Sequence, residues 1–344
     1  MSLPNWLASK GFEARGVAGI LADFQAAVRT AFARDAQVTL NPPHEPELDP
    51  PFEVVEPVRL ACPLVFSSPH SGTIYPRRFL EAARLDETVL RRSEDAFVDA
   101  LFGGATALGA PLIRARFPRA YLDLNREPYE LDPRMFDGPL PAFANTRSLR
   151  VAGGLGTIAR VVGQSQEIYA GRVPVGEALE RIEKLYKPYH ARLRGLIDQA
   201  RHVFGIAVLV DCHSMPSGSL RQGQTSLFKL VEPPRKPDFV VGDRYGTSCA
   251  PDLVDLVEYE LRRRGYDVQR NKPYAGGFIT EHYGNPAGEC HAMQIEVSRA
   301  LYMDERTVSK GNRFAEVAAD LAAIAGALAD AATMRRDRHR AAAE

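Results

Sequence analysis

The sequence predicts an α/β protein, a three-layer α/β/α sandwich around a mixed, mostly parallel central sheet. Short apolar strand patterns alternate with longer helical patterns along the chain, which is typical of this class. The clearest strand is residues 206–210, an unbroken apolar run after Gly205. Such a run indicates a strand that is covered on both faces, as in parallel sheets. The 344 residues suit one large domain with extensions.

The N-terminal region is predicted to precede that domain, so we divide the chain into residues 1–57 and a single α/β/α domain at 58–338. Apolar residues between 17 and 32 recur at helical spacing, which predicts an amphipathic helix. Residues 41–57 are rich in Pro and Glu and suit an extended arm. The helix can pack on the main body or on a second subunit, so a homo-oligomer stays open.

The first half of the domain shows three strand patterns and one helix. We expect strands at about 62–67 and 111–116, and a third at 121–125, where polar and apolar residues alternate. A helix over 87–101 is predicted after Asp86, which suits the N-cap position. Residues 127–172 are rich in Pro and Gly and form a long excursion, a kind of segment that often covers active sites.

The second half begins with a helix at about 175–203, in which Pro188 predicts a kink. Strands are expected at 239–243, 266–271 and 291–299, besides the central one, and the last of these alternates apolar and polar residues. A helix at 253–264 ends before Gly265, a suitable C-terminal residue. Residues 272–280 suggest a flexible loop, and a helix over 305–333 closes the chain.

Composition excludes several classes of protein. Hydrophobic residues make up 45% and charged residues 25%, as in ordinary soluble enzymes. The 43 Lys and Arg balance the 43 Asp and Glu, which argues against a nucleic-acid partner. The four cysteines lack CxxC spacing and suit reduced thiols. We found no signal peptide and no apolar segment long enough to cross a membrane, so we expect a cytoplasmic protein without membrane contact.

Polar residues stand at the ends of the predicted strands. Asp211, His213 and Ser214 follow the central run, and His70 follows the first strand. Glu296 lies within the last strand. Ligands of open α/β sheets bind beyond the carboxyl ends of the strands. Two strand-end histidines and a buried glutamate indicate a zinc hydrolase, because zinc favours imidazole and carboxylate ligands. The alternative is a pair of histidines that bond only to backbone groups.

Other charged residues have two interpretations each. Glu94 and Asp95 are either solvated helix residues or a third ligand beside His70. Arg119 and Arg126 flank Asp123 and Asn125, and form either a surface salt-bridge cluster or a carboxylate site. The planar guanidinium matches a carboxylate through two parallel hydrogen bonds.

Six segments, in this order, together resemble the N-formylglutamate amidohydrolase family. They span about residues 60–305 and read Ser67-Ser-Pro-His-Ser-Gly72, Glu94-Asp95, Asp123-Leu-Asn-Arg126, Asp211-Cys-His-Ser-Met215, Pro273-Tyr-Ala-Gly-Gly277 and Gln294-Ile-Glu-Val-Ser-Arg-Ala-Leu-Tyr-Met303. The family is similar in fold to zinc carboxypeptidases, aspartoacylase and succinylglutamate desuccinylase. The resemblance implies a zinc-carboxypeptidase-like fold, bound Zn²⁺, and hydrolysis of N-formyl-L-glutamate to formate and glutamate during histidine degradation.

The resemblance also implies roles for individual residues. His70 and His213 match zinc ligands, and Glu296 matches the general base of the related carboxypeptidases. The carboxypeptidase pattern is His-x-x-Glu, but Thr73 stands three residues after His70. The carboxylate ligand must therefore come from elsewhere, and we expect Asp95, with Glu94 as the alternative.

The remaining candidate residues, from the resemblance or from the chemistry of the reaction, bind substrate or the transition state. Arg119 is expected to stabilise the oxyanion that forms when water attacks the amide. The expected substrate-binding residues are Asn125, Arg126, Tyr274, Gly276, Gly277 and Arg299. Two other functions stay open. One is a zinc amidohydrolase for another N-acyl amino acid or a short peptide. The other is a binding protein without activity, which the presence of both histidines and of Glu296 disfavours.

Overall fold

The computed structural model describes residues 48–163, 165–217 and 237–343, so the helix predicted between residues 17 and 32 lies outside the described residues. The main sheet has seven strands. They are β1 Phe52–Val55, β2 Leu64–Ser68, β3 Leu112–Ala115, β4 Ala207–Met215, β5 Phe239–Gly242, β6 Val268–Arg270 and β7 Cys290–Ser298. Three ladders of two-residue strands pair Phe136–Asp137 with Val173–Pro174, Val161–Val162 with Gln166–Glu167, and Met303–Asp304 with Ser309–Lys310.

The sheet order is β1-β3-β2-β4-β7-β5-β6. Strands β3, β2, β4 and β7 run parallel, and β5 and β6 run parallel to each other. The pairs β1–β3 and β7–β5 are antiparallel. The sheet is therefore mixed and mostly parallel, as the sequence predicts. Strand β1 lies within the predicted N-terminal arm and adds an edge to the sheet; the boundary after residue 57 stays a prediction.

Helices cover both faces of the sheet. They are α1 Arg77–Ala82, α2 Glu87–Leu90, α3 Val98–Leu101, α4 Leu149–Ala152, α5 Val175–Arg181, α6 Lys187–Phe204, α7 Pro251–Arg263, α8 Phe278–Tyr283 and α9 Phe314–Ala343. Helices α7 and α9 pack on the face that carries Val210 and Ile295. Helices α6 and α8 pack on the opposite face, which carries Leu209 and Ala292. These two cores confirm the three-layer architecture.

The predicted helix over 87–101 is wrong as a continuous element. Asp86 caps α2 by accepting a hydrogen bond from the Val89 amide, as predicted. A 3₁₀ turn at Arg91–Ser93 follows, and Glu94 is extended. Phe97 then has a left-handed φ of 65° before α3 begins. Buried long-range contacts of Glu94 and Asp95 hold this break open, and no periodicity in the sequence encodes them.

The strand predicted at 121–125 is also wrong, because these residues form turns and irregular chain. Leu122 and Leu124 are buried in the core, which produces the alternating pattern. The backbone amide of Asn125 donates to the Asp123 carboxylate, 2.9 Å away, instead of to a neighbouring strand. Local hydrogen bonds of this kind compete with sheet pairing.

Three helical predictions need adjustment. A π-helical turn, Ile182–Tyr186, separates α5 from α6 immediately before Pro188, where the sequence predicts a kink. Proline lacks the amide hydrogen that a regular helix would use there. Helix α8 begins inside the loop predicted at 272–280. Residues 314–336 of α9 are long and apolar enough to span a membrane, contrary to the prediction, yet Val317 and Leu328 lie in the core.

Candidate metal centre and active site

One face of the sheet changes from apolar to polar at the carboxyl ends of three adjacent parallel strands. Side chains alternate between faces along a strand, so every second residue shares a face. On this face the core residues Val65, Leu209 and Ala292 are followed by Ser67 on β2, Asp211 and His213 on β4, and Gln294 and Glu296 on β7. All five polar residues are buried. The sequence signal at the strand ends therefore reflects one shared polar site.

His70, Asp95 and His213 meet at this edge of the sheet. One ligand atom from each residue lies within 4.8 Å of those from the other two. The Asp95 Oδ2 atom is 2.9 Å from His213 Nδ1 and 3.3 Å from His70 Nδ1. The buried His70 Nδ1 atom makes no hydrogen bond. A buried imidazole nitrogen that faces a carboxylate oxygen but makes no hydrogen bond to it fits a lone pair that is directed at a metal ion.

The break between α2 and α3 places Asp95 in this group. Its backbone amide donates to the His70 carbonyl, 3.0 Å away, which ties the two segments together. Glu94, the alternative ligand, instead accepts a hydrogen bond from the Tyr75 hydroxyl at 2.7 Å and pairs with Arg91. The structure therefore brings Asp95, and not Glu94, to the histidines.

The second ring nitrogen of each histidine contacts a buried carboxylate. His70 Nε2 lies 2.7 Å from Asp123 Oδ1, and His213 Nε2 lies 2.9 Å from Asp211 Oδ2. Metal-ligating histidines in proteins are usually oriented in this way. Sequence analysis placed Asp211 at the expected site without a specific role, and treated Asp123 only as a neighbour of Arg119 and Arg126. The signal for Asp211 was present, because it precedes His213 by two residues on one strand and shares its face.

The charges of this cluster stabilise one another. Burial alone would raise the pKa of Asp95, but hydrogen bonds and charges of His213 and His70 hold that pKa well below its usual range. Burial would lower the pKa of His213, but Asp211 and Asp95 hold it well above its usual range. A cation is therefore favoured at this position, whether it is a proton on the imidazole or a metal ion beside it.

Glu296 lies next to His213, since the two residues pair directly between β7 and β4. The Gln294 side-chain amide donates to Glu296 Oε1 at 2.8 Å. Burial raises the pKa of Glu296 to about 7, with Asp95 adding to this increase and His213 opposing it. A proton acceptor with a pKa near neutrality is suited to general base catalysis.

Arg119 and Arg126 share one carboxylate. Arg119 Nη2 lies 2.8 Å from Asp123 Oδ2, and Arg126 Nη2 lies 3.5 Å from the same oxygen. The Arg119 side chain is 27% exposed, while that of Arg126 is 13% exposed. Arg126 also donates to the carbonyl oxygens of Leu155 and Asn125 at 2.9 Å. The two arginines therefore form an ion-pair cluster with Asp123 that is mostly buried and not on the surface, and a substrate carboxylate site at these residues stays a prediction.

The side-chain amide of Asn125 has partners within the protein. Its Nδ2 atom lies 3.0 Å from Asp211 Oδ2 and 2.9 Å from His213 Nε2. Its Oδ1 atom accepts the Ile279 amide at 2.8 Å. These contacts favour a positioning role for Asn125, and its contact with substrate stays a prediction.

The loop at residues 273–277, here called the glycine-rich loop, passes directly over Asn125. A Cβ atom on Gly277 would lie 2.4 Å from Asn125 Oδ1, so only glycine fits there. The Gly277 amide donates to the Gln294 side chain at 2.8 Å. Gly276 has a φ of 110°, a conformation that favours glycine, and Tyr274 at the start of the loop is half-buried. The loop therefore lies beside Gln294, the residue whose side chain donates to Glu296.

Arg299 lies on the other side of the cluster. Its guanidinium donates to Asp95 Oδ1 at 3.2 Å, to the Ser214 hydroxyl at 3.2 Å and to the Arg92 carbonyl at 2.9 Å. Its side chain is 8% exposed. Arg299 thus fixes the orientation of Asp95, and its predicted contact with substrate stays untested.

The fold and the site define an α/β enzyme with a buried His-Asp-His candidate metal centre and an adjacent glutamate. The chain belongs to the N-formylglutamate amidohydrolase family, whose sequence model matches residues 62–303.

Individual members of this family are similar to this chain over most of its length. The N-formylglutamate deformylase of Pseudomonas putida is 32% identical over 249 residues, which are 71% of this chain and 82% of that protein. That of Pseudomonas aeruginosa is 31% identical, over 74% of this chain and 87% of the other. The crystal structure of N-formylglutamate amidohydrolase from Ralstonia eutropha JMP134 matches with a TM-score of 0.76 and 38% identity. It covers 82% of this chain and 98% of its own.

A more distant structure shares the fold. The gene product Atu2144 from Agrobacterium tumefaciens matches with a TM-score of 0.57 and 17% identity. This match covers 82% of this chain and 94% of that one. At this level of identity the similarity concerns the fold alone.

Proposed function

We propose that this protein is a zinc-dependent, cytoplasmic enzyme that hydrolyses N-formyl-L-glutamate to formate and L-glutamate. The observation that carries the proposal is the buried group of His70, Asp95 and His213 with Glu296 beside it. The names of the relatives from both Pseudomonas species and from Ralstonia support the substrate.

The three residues fit a catalytic zinc site. Two imidazole nitrogens and one carboxylate oxygen form a donor set that zinc enzymes use when a further position is left for water. His70 and His213 would bind through Nδ1, since each Nε2 already contacts a carboxylate. When bound, zinc supplies the Lewis acidity that activates water and polarises the formyl carbonyl.

Glu296 would move the proton in this reaction. The carboxylate accepts a proton as the water oxygen bonds to the formyl carbon, and then passes it to the leaving nitrogen. The C–N bond breaks, and formate and the free amine of glutamate are released. The hydrogen bond from Gln294 keeps one Glu296 oxygen in place and leaves the other for the proton.

Cationic residues would stabilise the charges of substrate and transition state. We assign Arg119 to the oxyanion, because its partly exposed guanidinium lies one carboxylate away from His70. We assign the half-buried Arg126 to a substrate carboxylate. Tyr274, Gly276 and Gly277 would form one wall, with Asn125 holding His213 beneath it. Arg299 would act by holding Asp95.

Formate release from a panel of N-formyl, N-acetyl and N-succinyl amino acids tests the proposal. The zinc-loaded protein should prefer N-formyl-L-glutamate, and His213→Ala should lose both zinc and activity. An acyl preference other than formyl would replace the proposed substrate. Equal zinc content in the two proteins would contradict the metal assignment.

A further inference from the structure

A third arginine, Arg150, lies beside Arg126 at the candidate active site. Arg126 Nη1 donates to the Asn125 carbonyl at 2.9 Å, and Arg150 Nη1 donates to the same oxygen at 3.3 Å. Two guanidinium groups that share one acceptor must lie side by side. The Asn125 side chain contacts His213, so the pair is one residue away from the candidate metal centre.

Arg150 adds a third positive charge beside Arg126. Arg119 and Arg126 both pair with Asp123. Within residues 48–163, 165–217 and 237–343, no carboxylate forms an ion pair with Arg150, and the one described hydrogen bond of its side chain goes to the Asn125 carbonyl. Like charges in proximity repel unless an anion lies between them. The arrangement is thus suited to an anionic ligand.

The segment that carries Arg150 is well anchored. Ser148 caps α4 by accepting from the Val151 amide at 3.1 Å. The Leu155 amide donates to the Arg150 carbonyl at 2.8 Å, and Leu155 in turn accepts from Arg126. Arg134 contacts the carbonyl oxygen of Ala152 at 3.1 Å. Arg150 is therefore presented from a fixed backbone, and its half-buried guanidinium is positioned before a ligand arrives.

We propose that Arg150 binds one of the two substrate carboxylates and selects N-formyl dicarboxylic amino acids over monocarboxylic ones. This inference rests on the proposed function and extends it by naming a specificity residue. Arg126 and Arg150 together would bind carboxylate groups through the parallel hydrogen bonds that guanidinium groups provide. The competing explanation is that Arg150 only holds the Asn125 carbonyl in place.

Three substrates separate these explanations and identify the carboxylate. N-formyl-L-glutamate has both groups, N-formyl-L-norvaline lacks the side-chain carboxylate, and N-formyl-4-aminobutanoate lacks the α-carboxylate. Arg150→Ala should lower kcat/KM for N-formyl-L-glutamate by roughly 10- to 100-fold. For one of the two monocarboxylic substrates, kcat/KM should stay unchanged. This is the substrate that lacks the carboxylate that Arg150 binds. Equal losses on all three substrates would overturn the inference.

Two further variants guard against structural effects. Arg150→Gln keeps a donor for the Asn125 carbonyl and removes the charge, so it should show the same selective loss. Arg147→Ala removes an exposed arginine from the same segment and serves as the matched control. A loss no larger than that of Arg147→Ala would overturn the inference.

Binding of glutarate, measured by calorimetry on the zinc-loaded protein, keeps this test separate from the proposed function. If the wild-type protein releases no formate from N-formyl-L-glutamate, the proposed function fails, and glutarate binding decides the role of Arg150. A carboxylate site is supported if the wild-type protein binds glutarate at least 10-fold more tightly than Arg150→Ala does. A tenfold change in Kd corresponds to about 1.4 kcal/mol, which is on the scale expected for a lost charge pair. Equal or absent binding contradicts it.

Discussion

At the scale of residues, each histidine of the candidate metal centre has a carboxylate oxygen close to each of its two ring nitrogens. His70 and His213 direct one nitrogen toward Asp95 and the other toward Asp123 or Asp211. The outer carboxylates fix the ring orientation and make the imidazole a better electron donor. The site therefore depends on five residues and not only on the three that would contact the metal.

Glu296 gives the sharpest residue-scale prediction. Glu296→Gln keeps the shape of the side chain and the hydrogen bond from Gln294, but removes the proton acceptor. We expect zinc to be retained and kcat to fall at least ~100-fold, the usual effect of losing a general base. Steady-state kinetics and metal analysis of one preparation measure both quantities. A near-normal kcat would exclude Glu296 from the mechanism.

Arg126 tests substrate binding against support of the fold. Arg126→Ala should weaken kcat/KM for N-formyl-L-glutamate by about 2–4 kcal/mol, because one partner of a buried charge pair is lost. Arg126→Lys should recover only part of this, since an ammonium group cannot form two parallel hydrogen bonds. Zinc content should stay constant.

The hydrogen bonds of Arg126 to Leu155 and Asn125 define the competing outcome. If Arg126 only supports the fold, the alanine variant has a lower melting temperature and a normal kcat/KM in its folded fraction. Thermal melting and kinetics on the same sample distinguish the two outcomes.

At the scale of elements, short irregular segments position most of the site. The break after α2 supplies Asp95, a turn supplies Asp123 and Asn125, and the glycine-rich loop closes over them. The regular strands β4 and β7 supply His213 and Glu296 in fixed register. Loops that are positioned by a rigid sheet often carry function in this way.

Gly277 tests the contact between the loop and the site. The added Cβ of Gly277→Ala would lie 2.4 Å from Asn125 Oδ1, so Asn125 must move, and His213 with it. We expect weaker zinc binding and a stability loss of about 1–3 kcal/mol, as for overpacked sites. Zinc titration and thermal melting measure these effects.

The matched control is Gly171→Ala, where no heavy atom lies within 4 Å of the added Cβ. It should change neither quantity. If both alanine variants behave alike, the loop does not support the metal centre.

At the scale of the whole molecule, the sequence predicts the layers well and the irregular segments poorly. Apolar runs identified β2 and β4, because strands covered on both faces leave that pattern, and alternating apolar and polar residues identified β7. The strand predicted at 121–125 arose from buried leucines that alternate with residues bonded to the site. The helix predicted over 87–101 missed a break that depends on contacts with His70 and Tyr75, which are distant in sequence.

The site was predictable to the extent that residue type and position at a strand end reveal chemistry. His70, His213 and Glu296 stood out in this way, and the family resemblance directed attention to Asp95. Asp211 was placed at the site without a specific role, and Gln294 and Arg150 were not assigned, because the importance of all three lies in contacts to His213, Glu296 and Asn125. Only the folded chain brings these contacts together.

The most direct measurement of the central claim is anomalous diffraction at the zinc absorption edge, on crystals of protein purified without chelator. We expect one peak per chain, about 2.0–2.2 Å from His70 Nδ1, His213 Nδ1 and an oxygen of Asp95. The same data from His213→Ala crystals should lack the peak. A fully active protein with no zinc peak at these three residues would contradict the proposed metal centre.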